Sequence, residues 1–240
     1  MITYTIKVAN LPIGITNIYG ECKAFCVDFL TDERPVFYIS TSQEDIELER
    51  PIYEAVNGKC GNDGIIETFV VYRKISECIV DRGAFMLHGA AIAVNGYAYI
   101  FTGHSGVGKS THIKKWLCRL SNAIEINGDK PYIITGNVPM VCGSPWAGKE
   151  RLYTNTIYPL KAIILLNRAE ENKMDKVPLI SLYPELCQQV ILSDNTDRIK
   201  KTLQMLGSLG SKALFYRFHI NNFKDDCFDI AYHTLVGEKA

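Results

Sequence analysis

The stretch GHSGVGKS, Gly103 to Ser110, fits the pattern of a glycine, four residues, a glycine, a lysine and a serine in full. Glycines let successive backbone N–H groups turn inward around phosphate oxygens without a Cβ in the way. A helix N-terminus behind such a loop adds a favourable dipole. In that chemistry Gly103, His104, Ser105, Gly106, Val107 and Gly108 wrap the phosphates. Lys109 reaches the β- and γ-phosphates, Ser110 ligates Mg²⁺, and Thr111 continues the first helical turn. His104 would act through its backbone rather than its ring. The bland alternative is a glycine-rich turn with a surface lysine. The flanks decide against it: apolar YAYIF precedes the loop, and an amphipathic stretch follows it.

A triphosphate site also needs a carboxylate to hold or orient its metal. Asp129 follows Lys109 by twenty positions, about enough for one helix and one strand, so both are expected in a single βαβ unit with the strand AIEIN beside the loop strand. The competing reading is turn chemistry, since NGDKP suits a tight turn. His88, in LHGA, is by type more often structural than catalytic. His112 reads as a partly buried helix residue. In GSPWAGKE, residues 143–150, Lys149 is a candidate phosphate-neutralising cation, Glu150 a charged partner, and Trp146 a side chain to stack on a base or close a lid. An ordinary exposed loop is the equal alternative.

These residues need elements to position them. AAIAV and YAYIF flank Asn95-Gly96, a strong hairpin signal because both central residues take positive φ. A helix is expected from Lys109, with Ile113, Trp116, Leu117 and Leu120 as its buried stripe. YIIT and VPMVC around Gly136-Asn137 suggest another hairpin, and KAIILLN and KALFYRFHI further strands. Helical stripes are expected at Leu186, Cys187, Val190 and Ile191, at Ile199, Leu203 and Leu206 with Thr196 as cap, and at Phe223, Cys227, Ile230 and Ala231. Earlier, ITYTIKVAN and PVFYIS read as strands and charged SQEDIELERP as an edge or turn. NGKCGNDG, residues 57–64, marks a boundary. After it, Val71, Tyr72, Ile75, Cys78 and Ile79 share a helical face. The expectation is a β-rich region over 1–64 and a second region over 65–240.

The 26 basic and 26 acidic residues balance, so no global field favours nucleic acid or a membrane surface. No apolar run approaches spanning length. The eight cysteines form no CxxC pair, and no secretory segment opens the chain, which points to reduced thiols and a cytoplasmic protein.

The tract LHGAAIAVNGYAYIFTGHSGVGKSTHIKKWL, with NGDKP and SPWAGKE after it, resembles the catalytic domain of HPr serine kinase/phosphorylase. It also resembles small HPr-kinase-like proteins, some of them relatives of peptide-modifying kinases. The resemblance covers residues 87 to about 150 and fades beyond. It implies an α/β fold with a mixed, partly antiparallel sheet and a P-loop, shared with the ATP-dependent phosphoenolpyruvate carboxykinases. It also implies ATP, Mg²⁺ and transfer to a serine-type hydroxyl of a protein, peptide or small molecule. On that resemblance His88 matches the active-site histidine, Lys109 and Ser110 the P-loop pair, and Asp129 the second aspartate of an Asp-Asp turn that would join Ser110 at the metal. The first aspartate is Gly128 here, which leaves His88 and Glu150 to face the acceptor. The family's Arg-Pro-Gly-type loop is replaced by PWAGKE, with Lys149 as its cation. A nucleotide-binding regulatory protein with weak or no transfer is the alternative, favoured by Gly128. A carboxykinase-like enzyme would need a longer chain and an arginine constellation. No nucleic-acid or membrane partner is expected, and a homo-oligomer is compatible with the sequence.

Overall fold

The computed structural model describes residues 1–58, 60–148, 150–191 and 193–237. The chain opens with an antiparallel hairpin, β1 (Ile2–Val8) and β2 (Leu11–Asn17), turned at Ala9-Asn10. A short helix α1 (Glu21–Phe25) follows, and then β3 (Phe37–Ser40), which pairs parallel to β2. The segment expected as an edge or turn is instead a helix, α2 (Gln43–Asn57). Its start is fixed by a capping box: the Ser42 side chain accepts from Asp45 N, and Asp45 accepts from Ser42 N. Two orphan donors are thereby satisfied, which offsets Pro51 inside the helix.

The break at 57–64 separates α2 from α3 (Asp63–Ile79). The apolar face of α3 carries Val71, Tyr72, Ile75 and Ile79, and it packs on Ile6, Ile13, Ile15 and Phe29 of the N-terminal layer. Tyr132, Cys142 and Trp146 join the same cluster. One continuous core therefore spans the break, and residues 1–64 contain helix as well as strand.

The second sheet is mixed, as expected. In chain order it contains β4 (Ala84–Met86), β5 (Gly89–Val94) and β6 (Tyr97–Thr102), then helix α4 (Lys109–Arg119), then β7 (Ile124–Asn127), β8 (Tyr132–Ile134), β9 (Met140–Cys142), β10 (Ile157–Arg168) and β11 (Lys173–Lys176). Helices α5 (Tyr183–Cys187) and α6 (Thr196–Ser208), strand β12 (Leu214–Ile220) and helix α7 (Asp226–Leu235) complete it. The spatial order is β4-β8-β9-β10-β6-β5-β7; β12 pairs with β10 on the edge away from β6, and β11 pairs with β12. β6, β10 and β12 run parallel, whereas β5 is antiparallel to both β6 and β7. The β5–β6 hairpin turns at Asn95 (φ 51°) and Gly96 (φ 81°), the positive-φ pair that its sequence demands.

The sheet is covered on both faces, so its central strands are apolar throughout. Alternation assigns the faces. Ala90, Ile92, Tyr99, Phe101, Ile164 and Phe218 meet Ile113 and Trp116 of α4 and Phe228 of α7. Ala91, Ala93, Ile100, Ile163 and Phe215 meet Leu186 of α5, Leu206 of α6 and nearby Leu209.

Several local expectations change. β7 does not lie beside β6, because β5 comes between them; β6–α4–β7 is still a crossover between parallel strands, but it skips one. The α5 stripe stops at Cys187, and Val190 instead makes a bridge to Leu87. Asn195, not Thr196, caps α6, accepting from Asp197 N and Arg198 N. Phe223 precedes α7 and is fully exposed rather than inward-facing. His112 is completely buried. Among the described residues no helix is long and apolar enough to cross a membrane, and the eight cysteines are free thiols.

Candidate functional site

Sheet direction gathers the chemistry at one edge. β6 ends at Thr102 and leads into the glycine-rich loop. β7, parallel to it, ends at the Gly128-Asp129 turn. β5 runs the other way, so its start, His88-Gly89, lies at the same edge, with Gly89 paired to Thr102. Thr102 Oγ1 donates to His88 O at 2.7 Å, and Gly89 N donates to Asp129 O at 2.9 Å. The ends of β10 and β12, parallel to β6, supply Arg168, Asn221 and Asn222 from the other flank. Carboxyl ends of strands are where open α/β sheets place ligands.

In the loop, Gly103, Gly106 and Gly108 have φ of 136°, 77° and 106°. A Cβ on Gly103 would sit 2.8 Å from Leu166 O, and one on Gly108 2.2 Å from Asn222 Nδ2. Glycine is therefore required at both ends for conformation and for close approach. The first turn of α4 holds no acidic residue, and its N-cap, Gly108, makes no side-chain cap bond. Its amides and dipole are thus available to an anion. Lys109 is buried, with Nζ donating to Gly103 O at 2.9 Å and to His104 O at 3.3 Å. Burial lowers the pKa of its ammonium, partly offset by the Asp129 charge. His104, Ser105, Ser110 and Thr111 are exposed, and Val107 is buried in the core beneath the loop. Arg168 Nη2 donates to Gly106 O, and Asn222 Nδ2 to Gly108 O at 3.1 Å.

The turn carrying Asp129 is built by Asn127. Its side-chain oxygen accepts from Asp129 N at 2.8 Å and from Lys130 N at 2.6 Å, and its amide donates to Ser144 O at 2.9 Å. This Asx turn aims Asp129 at His88, whose Nε2 lies 3.1 Å from Asp129 Oδ1. Lys130 pairs with the other oxygen. Burial pushes the Asp129 carboxyl up, but His88 and Lys130 overcome it and hold the group at about 2. Asp129 is thus both turn chemistry and an ionised carboxylate facing the histidine.

The segment 143–150 differs from its expectation. Gly143 to Ala147 are buried. Trp146 neither stacks at the site nor forms a lid: its ring sits near Tyr72 and Phe25, and its Nε1 donates to Thr68 O at 3.1 Å. Glu150 is half-exposed and pairs with Lys114 at 2.7 Å. Lys149 lies outside the described residues. Position 128 has little free space, because a Cβ there would lie 3.1 Å from Ala147 O, 3.2 Å from Glu125 Oε1 and 3.4 Å from Leu152 O. His112 accepts from Trp116 Nε1 at 3.0 Å, and burial pushes its pKa down to about 3. It is a neutral core group.

Sequence reading missed Lys130, Arg168, Asn222, Asn127 and Glu125. Arg168 ends an apolar strand, and a charge at such an end was the available signal. Burial, with the Glu150 charge, raises the Glu125 carboxyl to about 7 despite Lys114. A carboxyl raised on folding costs stability as pH climbs from its unfolded value, near 4.3, towards its folded one. Glu125→Gln is therefore expected to raise the unfolding temperature at pH 8 and to leave it nearly unchanged at pH 4. An equal shift at both would assign the effect to packing.

Among the described residues no cluster of three or more His, Cys, Asp or Glu side chains is placed to hold a metal ion. A cation here would rest on Ser110, Asp129 and the ligand's own oxygens. No protein-family profile and no curated protein matches the chain. Among solved structures, the Hpr(Ser) kinase/phosphatase from Coxiella burnetii is similar at 11% identity, over 62% of this chain and 95% of that one, with a TM-score of 0.39.

Proposed function

We propose that this protein is an ATP- and Mg²⁺-dependent kinase that phosphorylates a serine-type hydroxyl of a protein, peptide or small molecule. One observation carries the reading: an uncapped helix N-terminus with a glycine-rich loop, a buried lysine and a histidine paired with an ionised aspartate meet at one sheet edge. Mg²⁺–ATP would supply the phosphoryl group and neutralise its charge. The loop amides and Lys109 hold the phosphates. Ser110 and Asp129 hold the cation. His88, turned by Asp129 through Nε2, presents its other ring nitrogen to the acceptor and takes the hydroxyl proton. Glu150 is drawn to Lys114 on the face of α4 and is the second candidate for that role. Positioning and charge neutralisation do most of the work in such a transfer.

A second reading is a nucleotide-binding regulator with weak or no transfer. The tight surroundings of position 128, where a Cβ would press on Ala147 O and Glu125 Oε1, favour it. Product analysis separates the two. A kinase forms ADP at a rate that rises with added peptide, protein or free serine and yields a phosphoserine product. A regulator binds ATP and forms ADP with none of them. A protein that binds neither ATP nor tripolyphosphate overturns both readings.

A further inference from the structure

We infer that Phe223 is the platform on which the nucleobase of the bound triphosphate stacks. The inference rests on the phosphate-binding role proposed for the 103–110 loop, and it adds a base subsite on the side of the loop away from Asp129.

Sheet order sets the direction in which a nucleotide lies. β5 and β7 are on one side of β6 and bring His88 and Asp129. β10 and β12 are on the other and bring Arg168 and the turn after Ile220. A terminal phosphate held near Lys109 and Asp129 leaves the nucleoside on the β10–β12 side. β12 is two strand spacings, about 10 Å, from β6, a span that a triphosphate chain with its ribose covers. Arg168, bonded to Gly106 O, stands along that path as a cation for the inner phosphates.

The turn at the end of that path is firmly tied. Asn222 Nδ2 donates to Gly108 O at 3.1 Å, pressing the turn against the last glycine of the loop. Lys115 of α4 donates to Asn222 O at 2.7 Å and to Lys224 O at 3.3 Å. Asn221 Oδ1 accepts from Phe223 N at 3.0 Å, and Asn172 Oδ1 accepts from Asn221 N at 2.6 Å. The backbone on both sides of Phe223 is therefore fixed to the loop, to α4 and to the β10–β11 connection. Its side chain is nevertheless 100% exposed. A single exposed apolar residue is ordinary. This one is an aromatic ring on an anchored backbone, one residue from a bond to the phosphate loop. An aromatic face carried on a fixed backbone beside a phosphate site suits base stacking, and it accepts any base because each has a π-face.

The test is calorimetric titration of wild type, Phe223→Ala and Phe223→Trp with Mg²⁺–ATP and with Mg²⁺–tripolyphosphate, which has phosphates and no base. A side chain with no protein cover can be removed without disturbing the fold. Phe223→Ala is expected to weaken ATP binding about tenfold and to leave tripolyphosphate binding unchanged. Phe223→Trp should restore ATP affinity or exceed it. Equal ATP affinity in wild type and Phe223→Ala, with tripolyphosphate still bound, overturns the base subsite and spares the phosphate site. An equal loss for both ligands overturns it too, since the turn then shapes the loop rather than the base site. If wild type binds neither ligand, the phosphate-binding role fails first and the base subsite with it.

Discussion

Asp129→Asn is expected to leave a folded protein that still binds triphosphate but turns it over about 10³-fold more slowly, the scale of losing several kcal/mol of metal-borne charge stabilisation. The amide keeps the shape, and Asn127 continues to bond the backbone of the turn. What is lost is a charge that His88 and Lys130 face from two sides. The same substitution has a pH signature. The Asp129 carboxyl stands at about 2 in the folded protein, below its unfolded value of about 3.9. Such a group adds stability above the unfolded value and loses it as pH falls through the folded one, roughly 2 kcal/mol at pH 7. Urea midpoints of wild type and Asp129→Asn should differ at pH 7 and converge towards pH 2. Mg²⁺-dependent turnover at the wild-type rate would reduce Asp129 to turn chemistry alone.

What the sequence showed most directly was local. Asn95-Gly96 names its own hairpin, because few other residues accept two successive positive φ values. The loop from Gly103 to Ser110 announces itself through spacing, and α4 through its stripe. The α2 helix was legible too, from Ser42 and Asp45 three residues apart, but a run of charges with Pro51 inside it hid the signal. What sequence alone does not reveal is which strand neighbours which. β7 was expected beside β6, yet it pairs with β5; register is decided by long-range burial of both sheet faces, not by the strand's own residues. Arg168 lies 62 positions after Gly106, and only the parallel β6–β10 pairing brings it there. Phe223 was given to a helical stripe because its spacing from Cys227 fits one. The helix begins at Asp226, and the preceding turn is held by Asn221 and Asn172, whose side chains compete for backbone groups and end the periodicity.

Trp146 carries the same lesson into the site. An aromatic in a Gly/Pro-rich segment resembled a lid residue, but its burial against Tyr72 and the Thr68 carbonyl makes it an anchor. Arg151 over the Phe25 ring, Tyr153 on Asp28 and Asn155 on Asp28 O extend that anchoring. Gly148 lies against Asp129, where a Cβ on it would be 3.1 Å from Asp129 Cβ. The N-terminal layer thus holds the segment that borders the Asp129 carboxylate and has a part in shaping its surroundings.

Lys109→Met should cut triphosphate affinity by about 10²–10⁴-fold while the fold survives. Two charge-assisted contacts, to the outer phosphates, are each worth roughly 1.5–3 kcal/mol, and each 1.4 kcal/mol is a factor of ten. The lysine is not the surface side chain of a plain glycine-rich turn. It is 8% exposed, and its stem fills space, so methionine is the better probe: it keeps the stem and removes the charge. Folded stability should move little, because two effects oppose each other. Gly103 O and His104 O lose a donor, but the protein no longer buries an ammonium whose pKa burial has lowered. Titration with tripolyphosphate isolates the phosphate contacts from any base subsite, and urea unfolding of the same samples checks the fold. A stable Lys109→Met protein with wild-type tripolyphosphate affinity would mean that the 103–110 loop is only a glycine-rich turn, and that its buried lysine serves the loop's carbonyls rather than a ligand.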